Sequence, residues 1–474
     1  MAKSKTLISD TFTLKGEWWL PATPERKVNG ELSFSPDGPC ELVLAGTLHD
    51  IPKGPWKGFS SPLIFGKTLD GKLCSVMDAH ESSFHLHSSG FATTSFFYNQ
   101  LALGHEFINP TETTFESAVV DLTDFSGWLH RDPFQNDKRS HAASSPSVSI
   151  SYKMPEIISV HVPTLAASLR FESSINTNIE YQKRTLRHVD FLRVKPRQKQ
   201  KLEWYLDVIF KFRMLLSLLV GEPVNIISIR LCTRLQKLPS LEPKPYRDYL
   251  DLFLRQVGKK RDKELLPPEI PFTYPAIKKD LRLVMNSWYR NADRMRTVYG
   301  LHFGVRVNRG IPVEFQFLSL LQALESYHRE KGRDKYMSDT RYLPLRDMLV
   351  NGIPSNVAPD FRAALKSKIR FGNEYSLRKR LELTIRSVPE AIVDLFTSGD
   401  KFFVTRVVAT RNYLTHRDES QKQDVMDFKG MFNASESLAL LITYLLLSEC
   451  GLRHELIVSV MQTHHTFKNR ARIL

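Results

Sequence analysis

Six consecutive residues near the C-terminus of this 474-residue chain combine side chains that can cleave RNA. They read Arg411-Asn412-Tyr413-Leu414-Thr415-His416. Metal-free cleavage of a phosphodiester needs a base for the ribose 2′-hydroxyl, an acid for the leaving 5′ oxygen and a cation beside the phosphorane. Histidine can act as base or acid near neutral pH, arginine offers a charged fork to phosphate oxygens, and asparagine can orient either group. Arg411, Asn412 and His416 are therefore the candidate catalytic residues.

The spacing of Arg411 and His416 limits how the two side chains can meet. Five residues along an ideal helix rotate by about 140° and rise by about 7.5 Å, so we expect the helix to end between them. The apolar positions Phe403, Val407 and Leu414 mark this helix, which the sequence predicts over residues 400–413. One histidine cannot easily be both acid and base, which favours a symmetric dimer that brings two motifs into one cleft.

The motif has to be weighed against chance and against a structural role. Arginine followed by histidine after four to six residues is expected about three times in a chain of this composition. Arg296 and His302 also fit the pattern, and we interpret that pair as coincidental. Requiring asparagine after arginine lowers the chance expectation to about one in ten. The alternative is that Arg411 and His416 only stabilise a helix C-terminus through its dipole.

Charged residues near the motif and along the first predicted helix of the C-terminal region are weaker candidates. Arg406 and Arg417 flank the motif and are the candidates for RNA-backbone contacts, the alternative being ordinary surface charge. Glu325 and His328 lie one helical turn apart, so they could support a catalytic cleft or form an exposed helix pair.

We predict no metal site and no cofactor. His85 and His87 would share one face of a strand, but no third ligand is evident. The cysteines are too widely separated for zinc-knuckle spacing and are typical of reduced thiols rather than a disulfide framework. They are Cys40, Cys74, Cys232 and Cys450.

The distribution of charge favours a polyanionic partner for the later part of the chain. The 66 Lys and Arg residues exceed the 51 Asp and Glu residues, giving +15. Residues 1–150 hold 12 basic and 17 acidic side chains, so the remaining 324 residues carry +20. Such a surplus indicates nucleic-acid binding through charge neutralisation, although it also keeps proteins soluble.

The chain has the composition of a globular protein, with 42% hydrophobic and 25% charged residues. The longest apolar run, Leu438 to Leu447, is far shorter than the ~20 residues of a membrane span. Residues 1–10 lack the apolar core of a secretory signal. We therefore expect a cytoplasmic protein that does not contact the membrane.

The hydrophobic periodicity predicts an α+β protein in three parts. Residues 1–195 alternate with period two and indicate a β-rich, sandwich-like or barrel region. Residues 196–310 form a mixed middle region, with helices expected at 202–221 and 276–299 and a strand at 225–231. Residues 311–474 form an all-α bundle. Its predicted helices cover 314–332, 358–370, 376–397, 400–413, 424–450 and 452–466.

Four parts of the sequence resemble a known family. The helical region with Arg411-Asn412-x-x-x-His416 and the long apolar helix after it resembles a HEPN domain. Gly16-Glu17-Trp18-Trp19-Leu20-Pro21 and the segment from Val28 to Pro36 resemble the N-terminal domain of the ApeA family of bacterial anti-phage proteins. The segment from Leu318 to Arg329 resembles the first HEPN helix of that family.

The resemblance implies a HEPN endoribonuclease that acts in abortive infection. It implies metal-independent cleavage at Arg411, Asn412 and His416 that leaves a 2′,3′-cyclic phosphate, in a homodimer or larger even assembly. The RNA substrate, tRNA being one candidate, would be cut after a phage component is sensed, and the β-rich domain would be the sensor or regulator. The alternative is a non-catalytic RNA- or protein-binding module whose helical domain serves for dimerisation.

Overall fold

The computed structural model describes residues 6–50, 58–87, 90, 92–136, 150–236, 246–256, 261, 263–308, 310–332 and 334–468. The chain divides into two compact units, Met1–Arg290 and Asn291–Leu474. The first unit contains the strands and the second is helical, which confirms the predicted α+β class. The two units are described separately below.

The first six strands of the N-terminal unit close into a barrel. Each pairs antiparallel with its neighbours in the ring order β5, β4, β1, β2, β3, β6 and back to β5. Alternate residues point into the barrel, as the period-two pattern predicts. The strands are β1 (Phe12–Trp19), β2 (Val28–Phe34), β3 (Glu41–Leu44), β4 (Ser60–Thr68), β5 (Leu73–Leu86) and β6 (Ala92–Phe97).

Glycines make room for the tryptophan of the N-terminal motif inside this barrel. Trp18 has no exposed surface and pairs across the ladder with Gly66. A Cβ at Gly66 would overlap the indole ring of Trp18, and one at Gly16 would overlap the carbonyl group of Lys67. The barrel therefore depends on small residues at these two positions.

Gly66→Ala is expected to destabilise the N-terminal unit by about 2 to 3 kcal/mol, because overpacking of a tight core displaces side chains and backbone. Urea unfolding of the full chain, followed by tryptophan fluorescence, measures the loss. Gly300→Ala is the control, since no atom beyond its chain neighbours and the backbone of its own helix lies within 4 Å of a Cβ built there. Equal stability of the two variants would contradict this account of the motif.

From β5 the barrel continues into an open antiparallel sheet of seven further strands. The order outward from β5 is β7, β17, β16, β9, β14, β13 and β12, so thirteen strands belong to one hydrogen-bonded sheet. The remaining four strands form two short pairs, β10 with β11 and β8 with β15. The elements after β6 are β7 (Gln100–Gly104), β8 (Thr114–Phe115), β9 (Ser117–Leu122), α1 (Phe125–Leu129), β10 (Phe134–Asn136), β11 (Ile150–Tyr152), β12 (Ile158–Val162), β13 (Ala167–Ile179), β14 (Arg184–Pro196), β15 (Gln200–Lys201), α2 (Leu202–Val220), β16 (Ile226–Gln236), β17 (Tyr246–Leu254), α3 (Tyr274–Ile277) and α4 (Leu281–Asn291).

The sequence-based boundary at residue 195 falls inside this sheet. β16 pairs with β9, and β17 pairs with β7, so strands from the predicted middle region complete the sheet begun by the first region. The helix expected at 202–221 is α2, which ends at Gly221 in a left-handed conformation. Its Phe212 packs against Phe125 and Phe171 and so covers the sheet.

The C-terminal unit is built around one long buried helix. α12 packs against α6, α10 and α13. By length and composition α12 could cross a membrane, but 78% of its most apolar window is buried inside the protein, as in the core helix of a bundle. The helices of this unit are α5 (Arg296–Val307), α6 (Val313–Glu330), α7 (Asp339–Asn351), α8 (Pro359–Arg370), α9 (Leu377–Arg386), α10 (Glu390–Thr397), α11 (Phe403–His416), α12 (Phe428–Glu449) and α13 (His454–Thr463).

Two helix predictions differ from the structure, and the helix α7 was not predicted. The helix expected at 276–299 is divided into α3, α4 and α5, with turn-favouring Asn291 and Asp293 at one of the breaks. The helix expected at 376–397 is interrupted before Pro389, which disfavours helical backbone in the residue preceding it. α7 was not predicted, because it has Pro344 in its interior and buries only Tyr342, so no apolar face marks it.

Candidate active site

Packing of the first three turns of α11 fixes the position of the motif. α11 buries five residues, Phe403 and the four consecutive residues from Val407 to Thr410, and Thr410 is fully buried. The Thr410 hydroxyl accepts a hydrogen bond of 2.9 Å from the backbone N–H of Met426, and this bond ties the loop after α11 to the helix. On α9, Arg378 Nη1 donates to Thr405 Oγ1 over 3.0 Å. The last turn of α11 therefore projects from a well-anchored helix.

The three predicted catalytic residues converge at this helix end. Arg411 Nη1 donates to Asn412 Oδ1 at 3.2 Å and lies 3.3 Å from His416 Nε2. Arg411 and Asn412 are half-buried, whereas His416 is exposed. Because a guanidinium group can only donate, a hydrogen bond in this contact uses Nε2 as the acceptor. One cation and one imidazole thus stand side by side at the surface.

The expectation that the helix ends between Arg411 and His416 is wrong. α11 continues through His416 and ends at Arg417, whose φ of 55° is left-handed. The Thr415 hydroxyl also donates to the Arg411 carbonyl at 2.8 Å, in the last helical turn. The two side chains still meet because the long arginine side chain spans the axial rise between them.

An acidic residue, Asp418, lies two positions after His416 in the loop that follows α11. Asp418 accepts a hydrogen bond of 3.0 Å from the Ser420 N–H, and hydrogen bonds from Ser420 lower the pKa of Asp418, with a smaller contribution from His416. Asp418 therefore remains an anion two residues after His416. Asp418 was not predicted as a residue near the site, because nothing in the spacing distinguishes it from the other acids of this polar loop.

The two flanking arginines occupy different places. Arg417 follows His416 directly, and its guanidinium lies 5.5 Å from the ring centre of Tyr413, whose hydroxyl accepts its hydrogen bond at 3.3 Å. Arg406 is exposed and forms an ion pair with Asp400. Ten residues of helix place Arg406 about 15 Å from His416 along the axis. The structure thus brings Arg417, but not Arg406, to the motif.

The histidines of the two weaker candidate pairs are buried. His328 is only 7% exposed, and burial together with the positive charge of Arg380 lowers its pKa. Glu325 lies 3.8 Å from the Arg380 guanidinium, so Glu325 and His328 do not form an exposed helix pair. His302 is 3% exposed in the interior of its unit, which fits a coincidental match for Arg296 and His302.

Among the described residues, no three His, Cys, Asp or Glu side chains are placed to hold a metal ion. His87 Nε2 lies 3.2 Å from Thr93 Oγ1, and His85 is exposed. All four cysteines are free and buried, as predicted for reduced thiols.

Comparison with known families divides the chain in the same way as the structure. The family model described as ApeA N-terminal domain 1 matches residues 13–288, more than half of the chain and nearly all of the N-terminal unit. The model described as Apea-like HEPN matches residues 318–456, which include the whole of α11 and α12. Neither the curated proteins nor the solved structures contain a match to the chain.

Proposed function

Because this chain belongs to the ApeA family and its C-terminal unit carries an Apea-like HEPN domain, we propose that it is an anti-phage endoribonuclease that cuts RNA at Arg411, Asn412 and His416. The observation that carries the proposal is the convergence of these three side chains at the exposed end of α11. Cleavage there requires no metal and no cofactor.

The geometry supports a division of roles between the side chains. A phosphate bound at the motif draws the Arg411 guanidinium away from His416 Nε2, because a charged fork binds phosphate oxygens more strongly than it binds a ring nitrogen. Nε2 is then free to accept the ribose 2′-hydroxyl proton. The 2′ oxygen attacks phosphorus, the bond to the 5′ oxygen breaks, and Arg411 stabilises the charge of the phosphorane. The products are a 2′,3′-cyclic phosphate and a 5′-hydroxyl end.

The leaving 5′ oxygen needs a proton from a second group. In an in-line displacement the leaving 5′ oxygen lies on the opposite side of phosphorus from the attacking 2′ oxygen, so one His416 does not reach both. We place the acid on His416 of the partner subunit in a homodimer or larger even assembly. Asn412 orients the guanidinium through its 3.2 Å hydrogen bond. Arg417, at the motif, contacts the RNA backbone, and Arg406 contacts it farther along α11.

In this proposal the protein works in the cytoplasm during abortive infection. The N-terminal unit recognises a phage component and restrains the nuclease until then, since an unrestrained ribonuclease would harm the host. The RNA substrate is a cellular RNA, with tRNA as one candidate.

The proposal is tested with the purified full chain, cellular RNA and excess EDTA. We expect new RNA ends that carry a 2′,3′-cyclic phosphate and become ligatable only after enzymatic end repair, with the same yield whether or not EDTA is present. If the pure protein cuts no RNA, extract from phage-infected cells is added to supply the trigger. RNA that is bound but stays intact under every one of these conditions would instead make the chain a binding module.

A further inference from the structure

The C-terminal unit carries a helical arm that contributes little to the core. The arm comprises α7, α8 and the turn between them, residues 339–370. Tyr342 is its only buried side chain among the described residues, and α8 buries none. Helices of folded domains normally hold their place by burying an apolar face. Packing against the core therefore does not account for the arm, whereas a partner bound at its surface would.

Specific hydrogen bonds nevertheless hold the arm in place. At its base, Asn373 is 4% exposed and exchanges two hydrogen bonds with the Met337 backbone, at 3.0 and 2.8 Å. At its tip, Arg362 Nη2 donates to the carbonyls of Ile353 and Pro354 at 3.1 and 2.9 Å. The Tyr342 hydroxyl donates to the Ile369 carbonyl and joins α7 to α8. These hydrogen bonds give the arm one defined conformation and therefore a defined surface.

That surface includes a stripe of cations on α8. Arg362, Lys366 and Arg370 follow one another at intervals of four residues and share one side of the helix. α8 contains four basic residues and only one acid, Asp360. In the part of the chain that the structure describes, no ion pair joins Lys366 or Arg370 to a carboxylate. Elsewhere in this unit Arg329, for example, lies 3.1 Å from Glu374.

We propose that the basic stripe of α8 binds the phosphate backbone of RNA and holds the substrate while the motif on α11 cuts it. The occupant follows from charge: Lys366 and Arg370 are exposed, and in the described part of the chain their recorded contacts include no carboxylate, Arg370 lying 5.9 Å from the Phe371 ring centre. Exposed cations of this kind favour a polyanion over a neutral or basic protein surface. This inference rests on the proposed function for the identity of the polyanion. It adds a holding surface separate from the cutting residues.

The test measures binding without cleavage. His416→Ala protein is titrated into a labelled RNA hairpin at salt concentrations from about 50 to about 300 mM, with and without Lys366→Gln and Arg370→Gln. Both side chains are exposed, and Arg362 is left intact because it closes the turn of the arm. We expect binding about tenfold weaker, and a log–log salt slope smaller by about 1.4 to 1.8, the loss for two phosphate contacts.

The control removes the same charge from another exposed basic surface. Lys278→Gln with Lys279→Gln changes two exposed lysines of the N-terminal unit. Equal weakening by both pairs would attribute the effect to net charge and overturn the proposal, as would an unchanged affinity and slope for the α8 pair. An altered oligomeric mass with unchanged RNA affinity would assign the arm to a contact between copies. Because cleavage is not measured, an absence of ribonuclease activity leaves this test intact.

Discussion

Replacing His416 by alanine is expected to reduce the rate of RNA cleavage by about 10² to 10⁴-fold, the usual contribution of a general acid or base. The loss should appear in kcat rather than in RNA affinity, because in the proposed mechanism His416 exchanges a proton with the reacting ribose and does not hold the phosphate. His416 is exposed at the end of α11, so its removal leaves the core unchanged. In cells the same change should abolish protection against phage and the new RNA ends after infection.

The matched control is His465→Ala, which removes another exposed histidine of the C-terminal unit far along the sequence from the motif. Its cleavage rate and phage protection should equal those of the unmodified protein. Arg411→Lys keeps the positive charge but loses the two-pronged contact with phosphate, so its activity should lie between those of the unmodified protein and Arg411→Ala. Protection that survives both His416→Ala and Arg411→Ala would remove catalysis from this motif.

The sequence predicted whether the main elements are helices or strands better than it predicted the domain boundaries and the pairing of the strands. The period-two pattern identified the β-rich region, but pattern alone could not reveal that β6 returns to β5 and closes a barrel. Ring closure depends on which strands meet across long sequence separations. The boundary at residue 195 was drawn where the period changes to that of α2. β16 and β17 follow α2 in the chain but pair with β9 and β7, which precede it, and their local sequence does not show which strands they join.

The candidate site was predictable in its residues but not in its geometry. Arg411, Asn412 and His416 were chosen from their chemistry, and the structure places their side chains together. An ideal-helix calculation uses backbone positions and neglects the reach of arginine, so it wrongly required the helix to end early. The arm was missed for a different reason: α7 lacks a buried stripe, and helix prediction from sequence depends on that stripe.

The oligomer prediction has the second large expected effect, and it is decided by mixing subunits. If each cleft needs His416 from both protomers, one unmodified subunit paired with one His416→Ala subunit forms an inactive pair. With about one unmodified subunit to nine variant subunits, cleavage per unmodified subunit should fall about tenfold, because nine of ten partners lack the histidine. If each motif works alone, cleavage per unmodified subunit stays constant at every ratio.

The two chains are co-expressed with different affinity tags, and tandem purification verifies that they assemble together. Dilution with His465→Ala subunits is the control, and it should leave activity per subunit unchanged because that variant keeps an intact motif.

The path of the protons explains why two histidines are expected. A single imidazole that has taken the 2′-hydroxyl proton must lie within reach of the 5′ oxygen to return it in the same step. His416 lies at the end of a helix, 3.3 Å from the Arg411 guanidinium, which binds the phosphate in the proposed mechanism. A second imidazole, approaching from the other side of the phosphate, meets the in-line geometry that one helix end cannot. Activity strictly proportional to the unmodified fraction would show that one motif suffices, and the dimer would then lose its catalytic role.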